Sequence, residues 1–384
     1  MLPGPRLWGL ALLGCTSIIP ILIGPIIIGV LVDFGGFTNR DAGLTAGYGA
    51  IGSVVVALVC ALNMHRLPLR RLALAGVCLA AGSHLAAALF YEHHGLFYIC
   101  RTAGSIGDGA VYASVMSAFA RQTRSERCYG MFMMLQFGLA AVGLWGLPTL
   151  LPEMNVTQMY LGFFVLNLGS FTLLRFLPAD AAEAAGVSIR GKEWRLLLAI
   201  PALGGLATLF FFEGSNVGTD AYMERIAVFA GYSDAQIGQV LGIASLLGVP
   251  AAFAILFVSS RFGHSLPVFL GIATGAASLT GLMRADSYSE FFLWTCVHSA
   301  SWAFTTPYIQ SILADMDPGG AVVTAGGIAS GAGAGAGPTA MAMLVSADNY
   351  SGVLSVGIAA YTLAAAAIAL ALLLGLRRGM GQIN

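Results

Sequence analysis

Of 384 residues, 58% are hydrophobic and only 9% charged, whereas soluble domains carry roughly 25% charged residues. The 18 basic and 18 acidic residues cancel, so no net field points to nucleic acid or to an anionic partner. This balance excludes a soluble globular chain and leaves an all-α membrane protein whose partner is the lipid bilayer, because a backbone in lipid satisfies its hydrogen bonds within helices.

A bilayer core takes about 20 apolar residues as a helix. In chain order such stretches run near 7–33, 42–63, 71–90, 95–120, 128–151 and 156–176. After a polar connector they resume near 194–228, 235–258, 265–283, 289–314, 321–345 and 350–376. The sequence therefore predicts twelve transmembrane helices in two pseudo-symmetric six-helix bundles. Residues 1–177 form the first, 178–193 a cytoplasmic linker, and 194–384 the second. Arg6 ahead of LWGLALLGC imitates a signal peptide ending at Cys15, but the apolar run continues through Val32, past a cleavable core of roughly 7–15 residues. Cys15, Cys60, Cys78, Cys100, Cys128 and Cys296 show no CxxC or paired spacing and read as packed side chains, not as a disulfide frame or metal site.

Orientation follows from the basic residues. A cytoplasmic N-terminus places fourteen of them inside and only Arg40, Arg101, Arg225 and Arg284 elsewhere. Both termini are expected in the cytoplasm, and the membrane is expected to be a bacterial inner membrane.

Sliding the chain by 195 residues aligns GFTNRDAGLTAG at 36–47 with GYSDAQIGQVLG at 231–242. The same shift aligns HRLPLRRLALAG at 65–76 with SRFGHSLPVFLG at 260–271. Both copies open a helix with a capping box, Thr38 to Asp41 and Ser233 to Gln236, and both close it on a basic turn that keeps Arg66 and Arg261. A duplication explains the pair.

Two six-helix halves, a longer linker and a basic turn after the second and eighth helices resemble the major facilitator superfamily. That family's turn signature is roughly G-x-x-x-D-R-x-G-R-R. SSRFGHSLP at 259–267 matches it at Arg261 and Gly263, with Ser260 in the acidic position. NMHRLPLRRL at 63–72 keeps Arg66, Arg70 and Arg71, with His65 for the acid and Pro68 for the glycine. RTAGSIGDGA at 101–110 is similar to the family's R-x-x-x-G-x-G stretch, and its Asp108 to the acid of G-x-G-E-A in spinster-like members. The resemblance implies a monomeric transporter working by alternating access, with Arg66, Arg261 and Gly263 serving the cytoplasmic gate.

Ionisable residues at membrane depth are costly and mark function, and a transporter binds its solute near the midplane. Arg101 and Asp108 lie seven apart on the fourth helix, two turns along one face. Asp108 can load and release a proton there, and Arg101 suits an anionic group on the solute. On the seventh helix Glu213, Asn216, Asp220 and Glu224 recur at spacings of 3, 4 and 4, one helical face. Glu213 is the first choice as proton carrier and Asp220 another. Asn216 is a substrate contact, and Glu224 a solvated rim charge beside Arg225.

On the tenth helix Trp294, His298 and Trp302, with Thr305 and Tyr308 a little round the face, offer a planar solute stacking and a hydrogen bond. Gln136 and His84 are lone polar residues that read as satisfied packing, Gln136 being kept among the substrate contacts. GGIASGAGAGAGP on the eleventh helix gives small-xxx-small spacing at Gly327, Gly331 and Gly335 for close helix contact.

The sequence contains no GxxxxGK[ST], HExxH or GxSxG, so it is expected to be no enzyme and to hold no cofactor or metal. The expected function is proton-coupled secondary transport, a symport of a small organic solute such as an organic or aromatic acid. The alternatives are a proton-antiport exporter of drugs or metabolites, a uniporter, and a non-transporting sensor on the same scaffold. Residues 135–149, LQFGLAAVGLWGLPT, lack the G-x-x-x-G-P arrangement of the family's exporters.

Overall fold

The computed structural model describes residues 4–63, 68–120, 125–150, 153–178, 197–316, 321–345 and 349–377. The chain divides into two compact units, Met1–Ser188 and Ile189–Asn384. The first contains α1 (Gly4–Leu22), α2 (Gly24–Gly35), α3 (Asn39–Asn63), α4 (Leu69–Phe90), α5 (His94–Ala120), α6 (Ser125–Leu150) and α7 (Val156–Leu173), closed by a 3-10 turn at Leu174–Phe176. The second contains α8 (Ile200–Phe229), α9 (Asp234–Phe262), α10 (Ser265–Leu282), α11 (Tyr288–Met316), α12 (Ala321–Ala342) and α13 (Ser351–Arg377).

The apolar run expected as one helix over 7–33 is built as α1 and α2. Pro25 has no N–H for the carbonyl of Ile21, and its ring crowds that carbonyl, so the regular ladder is interrupted at Ile23 (φ −107°, ψ 25°). Bonds from Ile23 to Ile19 and from Ile27 to Ile23, each 3.1 Å, carry the chain across the break. α2 then stops where Gly36 takes φ +70°, which lets the amides of Gly36 and Phe37 reach the Leu31 carbonyl, a cap that favours a residue without Cβ.

Both repeat copies start as their sequence predicts. Thr38 Oγ1 accepts from the Asp41 amide at 3.1 Å and donates to its carboxylate at 2.8 Å. Ser233 Oγ accepts from the Gln236 amide at 3.4 Å, while the Ser233 amide donates to Gln236 Oε1 at 3.0 Å. A third box, Asn155 with Gln158, opens α7. Each such cap is worth about 1 kcal/mol. α9 ends at Gly263 with φ +63°, backbone that penalises a side chain. Arg66 lies outside the described residues, as does the side chain of Arg261.

Helices in each unit meet over glycine. In the first, a methyl on Gly76 of α4 would lie 2.6 Å from the Gly107 carbonyl of α5, and one on Gly52 of α3 would overlap the Thr102 carbonyl. Leu10, Leu13, Val77, Val115, Phe119 and Phe132 form the apolar core beside these contacts. In the second, Gly333 of α12 abuts the carbonyl of Phe210 on α8, and Gly337 that of Gly214. The contact stripe was expected at Gly327, Gly331 and Gly335. A methyl on Gly327 meets nothing within 4 Å, whereas Gly326, Gly333 and Gly337 make close contacts. A stretch with glycine at every second residue permits several registers on a 3.6-residue helix, and packing chose among them.

Seven helices among the described residues are long and apolar enough to cross a membrane. Large apolar side chains such as Leu89, Ile99, Val142 and Leu150 stand exposed, as lipid contact requires. α5, α8 and α11 fall outside those seven, and they carry Arg101, Asp108, Glu213, Asn216, His298 and Trp302.

Candidate functional site

In the second unit the site is built on α8. Glu213 is 5% exposed, and α11 supplies both donors to its carboxylate. Trp302 Nε1 donates to Oε2 and Thr306 Oγ1 to Oε1, each at 3.1 Å. Trp302 and Thr306 are four residues apart, so one helical face presents both. No cation pairs with Glu213 among the described residues. A buried carboxylate normally demands a partner charge. Here two neutral donors hold it, and no fixed counter-ion has to be broken when a proton arrives.

Nearly one turn along α8, Asn216 is fully buried. Its Nδ2 donates to the Phe212 carbonyl at 2.7 Å, and its Oδ1 accepts from the Tyr361 hydroxyl of α13 at 2.8 Å. His298 Nδ1 lies 3.5 Å from that hydroxyl and 3.4 Å from Ser278 Oγ. Both hydroxyl protons are committed, Tyr361's to Asn216 and Ser278's to the Gly275 carbonyl at 2.6 Å. Both oxygens therefore accept, and His298 carries its proton on Nδ1, an assignment made from the network. Its Nε2 is buried without a partner.

The other α11 candidates do not join this group. Trp294 lays its ring on Gly281, where a Cβ would overlap it, so it faces α10 while Trp302 faces α8. Tyr308 packs with Phe304, ring centroids 5.1 Å apart, and with His264 at 6.4 Å. Asp220 on α8 and Gln136 in the first unit are half-buried.

Glu224 was expected to be a solvated rim charge. It is 8% exposed and Arg225 only 4%, and Arg225 donates to it from Nε at 2.5 Å and from Nη2 at 2.6 Å. Burying a guanidinium requires a carboxylate beside it, and Glu224 is that partner.

In the first unit α5 carries Arg101, Gly104 and Asp108 along one face. Arg101 and Asp108 are each 8% exposed. The Arg101 guanidinium lies over the Tyr160 ring of α7, 5.9 Å from its centroid. His84 of α4, set aside in the sequence as packing, faces Asp108 with Nε2 3.8 Å from Oδ2. On its other side Nδ1 is 3.2 Å from Asn167 Nδ2, which also donates to the Phe163 carbonyl at 3.0 Å. An amide nitrogen only donates, so Nδ1 accepts and the His84 proton sits on Nε2, toward Asp108. The two buried histidines therefore hold opposite tautomers. No sequence signal joins His84 to Asp108, because their meeting depends on how α4 rotates against α5.

The sequence matches the Major Facilitator Superfamily over residues 10–341. Among solved structures, a mutant of the nucleoside transporter NupG superposes with a TM-score of 0.77 at 13% identity, covering 95% of this chain and 99% of that one. A D-xylose-proton symporter superposes with a TM-score of 0.72 at 12% identity, covering 94% and 95%. A comparison with curated proteins returned no match. With the family matched over most of its length and its apolar helices exposed as lipid requires, the chain is an integral multi-pass membrane protein that belongs to the Major Facilitator Superfamily, a family of transporters and not of enzymes.

Proposed function

We propose that the protein is a secondary active transporter that moves a small organic solute, an organic or aromatic acid, together with protons by alternating access. The observation that carries this reading is Glu213, a buried carboxylate held by Trp302 and Thr306 with no cation beside it. Such a group changes the local charge by one when it takes a proton, and a conformation that exposes it to one side or the other converts that change into a population shift. Asp108 is the corresponding carboxylate of the first unit, and Asp220 a further proton site on α8. Arg101 of the first unit receives the solute's anionic group, and in the second unit Asn216, His298 and Trp302 are solute contacts. Proton coupling is also supported by the D-xylose-proton symporter, whose fold this chain shares.

Twelve spans in two bundles of six, a monomer, and both termini in the cytoplasm of a bacterial inner membrane complete the proposal. So does a cytoplasmic gate at Arg66, Arg261 and Gly263, supported by the left-handed turn that Gly263 makes.

The test is proton movement in proteoliposomes holding a pH-sensitive dye, with organic acids, nucleosides, sugars and amines added outside in turn. One solute class is expected to acidify the lumen with the wild type and not with Glu213→Gln. Solute entry without acidification, unchanged by Glu213→Gln, overturns the coupling and leaves a uniporter.

A further inference from the structure

We infer that the interior of the first unit holds a proton-linked oxyanion site formed by Arg101, His84, Tyr160 and Asp108. The inference rests on the reading of Arg101 as the anion-binding residue and states how the proton and the anion are linked. Four polar atoms from three helices are buried there with no hydrogen-bond partner: His84 Nε2, Arg101 Nε, Asp108 Oδ1 and the Tyr160 hydroxyl. Folded proteins leave very few such atoms unsatisfied, and four on neighbouring side chains mark a place for a polar guest. Their side chains adjoin, since His84 Nε2 is 3.8 Å from Asp108 Oδ2 and its ring 6.2 Å from that of Tyr160, over which Arg101 lies. Gly104 of α5 lies against His84. A methyl there would sit 3.5 Å from His84 Nε2, ordinary contact without overlap.

The chemistry of the guest follows from the donors. Arg101 Nε only donates, and His84 Nε2 donates because Asn167 occupies Nδ1. The Tyr160 hydroxyl adds a third donor. Three donors, one of them cationic, fit a carboxylate or another small oxyanion. Asp108 alone opposes it. Ionised, it repels the anion; protonated, it becomes a fourth donor. Arg101 with ionised Asp108 sums to zero charge when the site is empty. Arg101 with protonated Asp108 and a bound anion sums to zero when it is full. Both states avoid the net buried charge that a low-dielectric interior penalises, so proton and anion enter as a pair.

Among the described residues no other charged group faces Asp108. α4 brings His84, and α7 brings Tyr160 and Asn167. α3 sets Ser53 and Val56 against Gly109. Tyr112, one turn along α5, is 38% exposed. α1 and α6 contribute thiols and a phenol, Cys15, Cys128 and Tyr129.

The experiment uses the full chain in lipid nanodiscs, weakly buffered with a pH dye, and sodium benzoate as the probe, with empty nanodiscs as control. Benzoate binding is expected to take up about one proton per anion, and its affinity to fall about tenfold per pH unit once Asp108 is ionised. Asp108→Asn is expected to bind benzoate equally at high and low pH with no proton uptake, and Arg101→Gln to lose binding. Gly104→Ser, which places a hydroxyl against His84, is expected to weaken binding at least tenfold in a monodisperse protein. Binding without proton uptake, or pH-dependent binding that survives in Asp108→Asn, overturns the site. If these variants all transport solute and protons as the wild type does, the site falls and the transporter reading stands. If benzoate binds with a proton but no solute crosses proteoliposomes, the site stands and the transporter reading falls.

Discussion

Trp302 and Glu213 are 89 positions apart in the chain, and the indole Nε1 of one donates to the carboxylate of the other at 3.1 Å. That bond ties α11 to α8 through a group that can carry a proton. Its state therefore bears on how the two helices are held as well as on local charge.

Trp302→Phe keeps the ring and removes the N–H, and Thr306→Val removes the other donor. Each loses a hydrogen bond to a charged group, worth about 1.5–3 kcal/mol. Solute-driven proton uptake in proteoliposomes is expected to fall about tenfold or more for either variant while the protein stays monodisperse. Wild-type uptake in both would mean that Glu213 is not held for coupling.

The α8–α12 contact predicts opposite outcomes for chemically identical changes. Gly333→Ala and Gly337→Ala drive a methyl into the carbonyls of Phe210 and Gly214. Overpacking of this kind costs about 1–3 kcal/mol and sometimes more, and here backbone lies on both sides. Gly327→Ala meets open space and is expected to be neutral or stabilising by up to about 1 kcal/mol, as alanine is the better helix former. Thermal unfolding of the three purified variants ranks them directly.

Tyr361→Phe leaves Asn216 Oδ1 without its 2.8 Å donor and His298 Nδ1 with Ser278 alone. A buried acceptor stripped of its donor costs about 1–3 kcal/mol. The loss is expected in thermal unfolding, and an unchanged melting temperature would mean that the α8–α13 network adds nothing to stability.

Glu224→Gln removes the carboxylate from Arg225 in a nearly dry setting, and breaking such a pair costs about 3–5 kcal/mol. The double variant Glu224→Gln, Arg225→Met is expected to recover most of it. By contrast, Asp315 meets His264 at 2.9 Å on an exposed edge, and Asp315→Asn is expected to change stability by less than about 1 kcal/mol.

The apolar stretches read in the sequence are largely helical among the described residues, because hydropathy and helix length are local properties of the chain. The break at Ile23 was hidden inside a continuous apolar run, although Pro25 causes it. The stripe from Glu213 to Glu224 was legible as one helical face. Its donors were not, because Trp302 and Thr306 reach it only through the register of α11 against α8. Glu224 was misread from its place near a helix end, where burial depends on neighbouring elements rather than on sequence position. His84 gave no signal beyond being a lone polar residue, and its pairing with Asp108 is a product of tertiary packing.

The opposite tautomers of His84 and His298 make the chain its own spectroscopic probe. In nitrogen-15 NMR a protonated ring nitrogen and a bare one resonate far apart, so Nε2 of His84 and Nε2 of His298 fall in different regions of one spectrum. Selective histidine labelling would then report on each unit separately, without a foreign dye or an added cysteine.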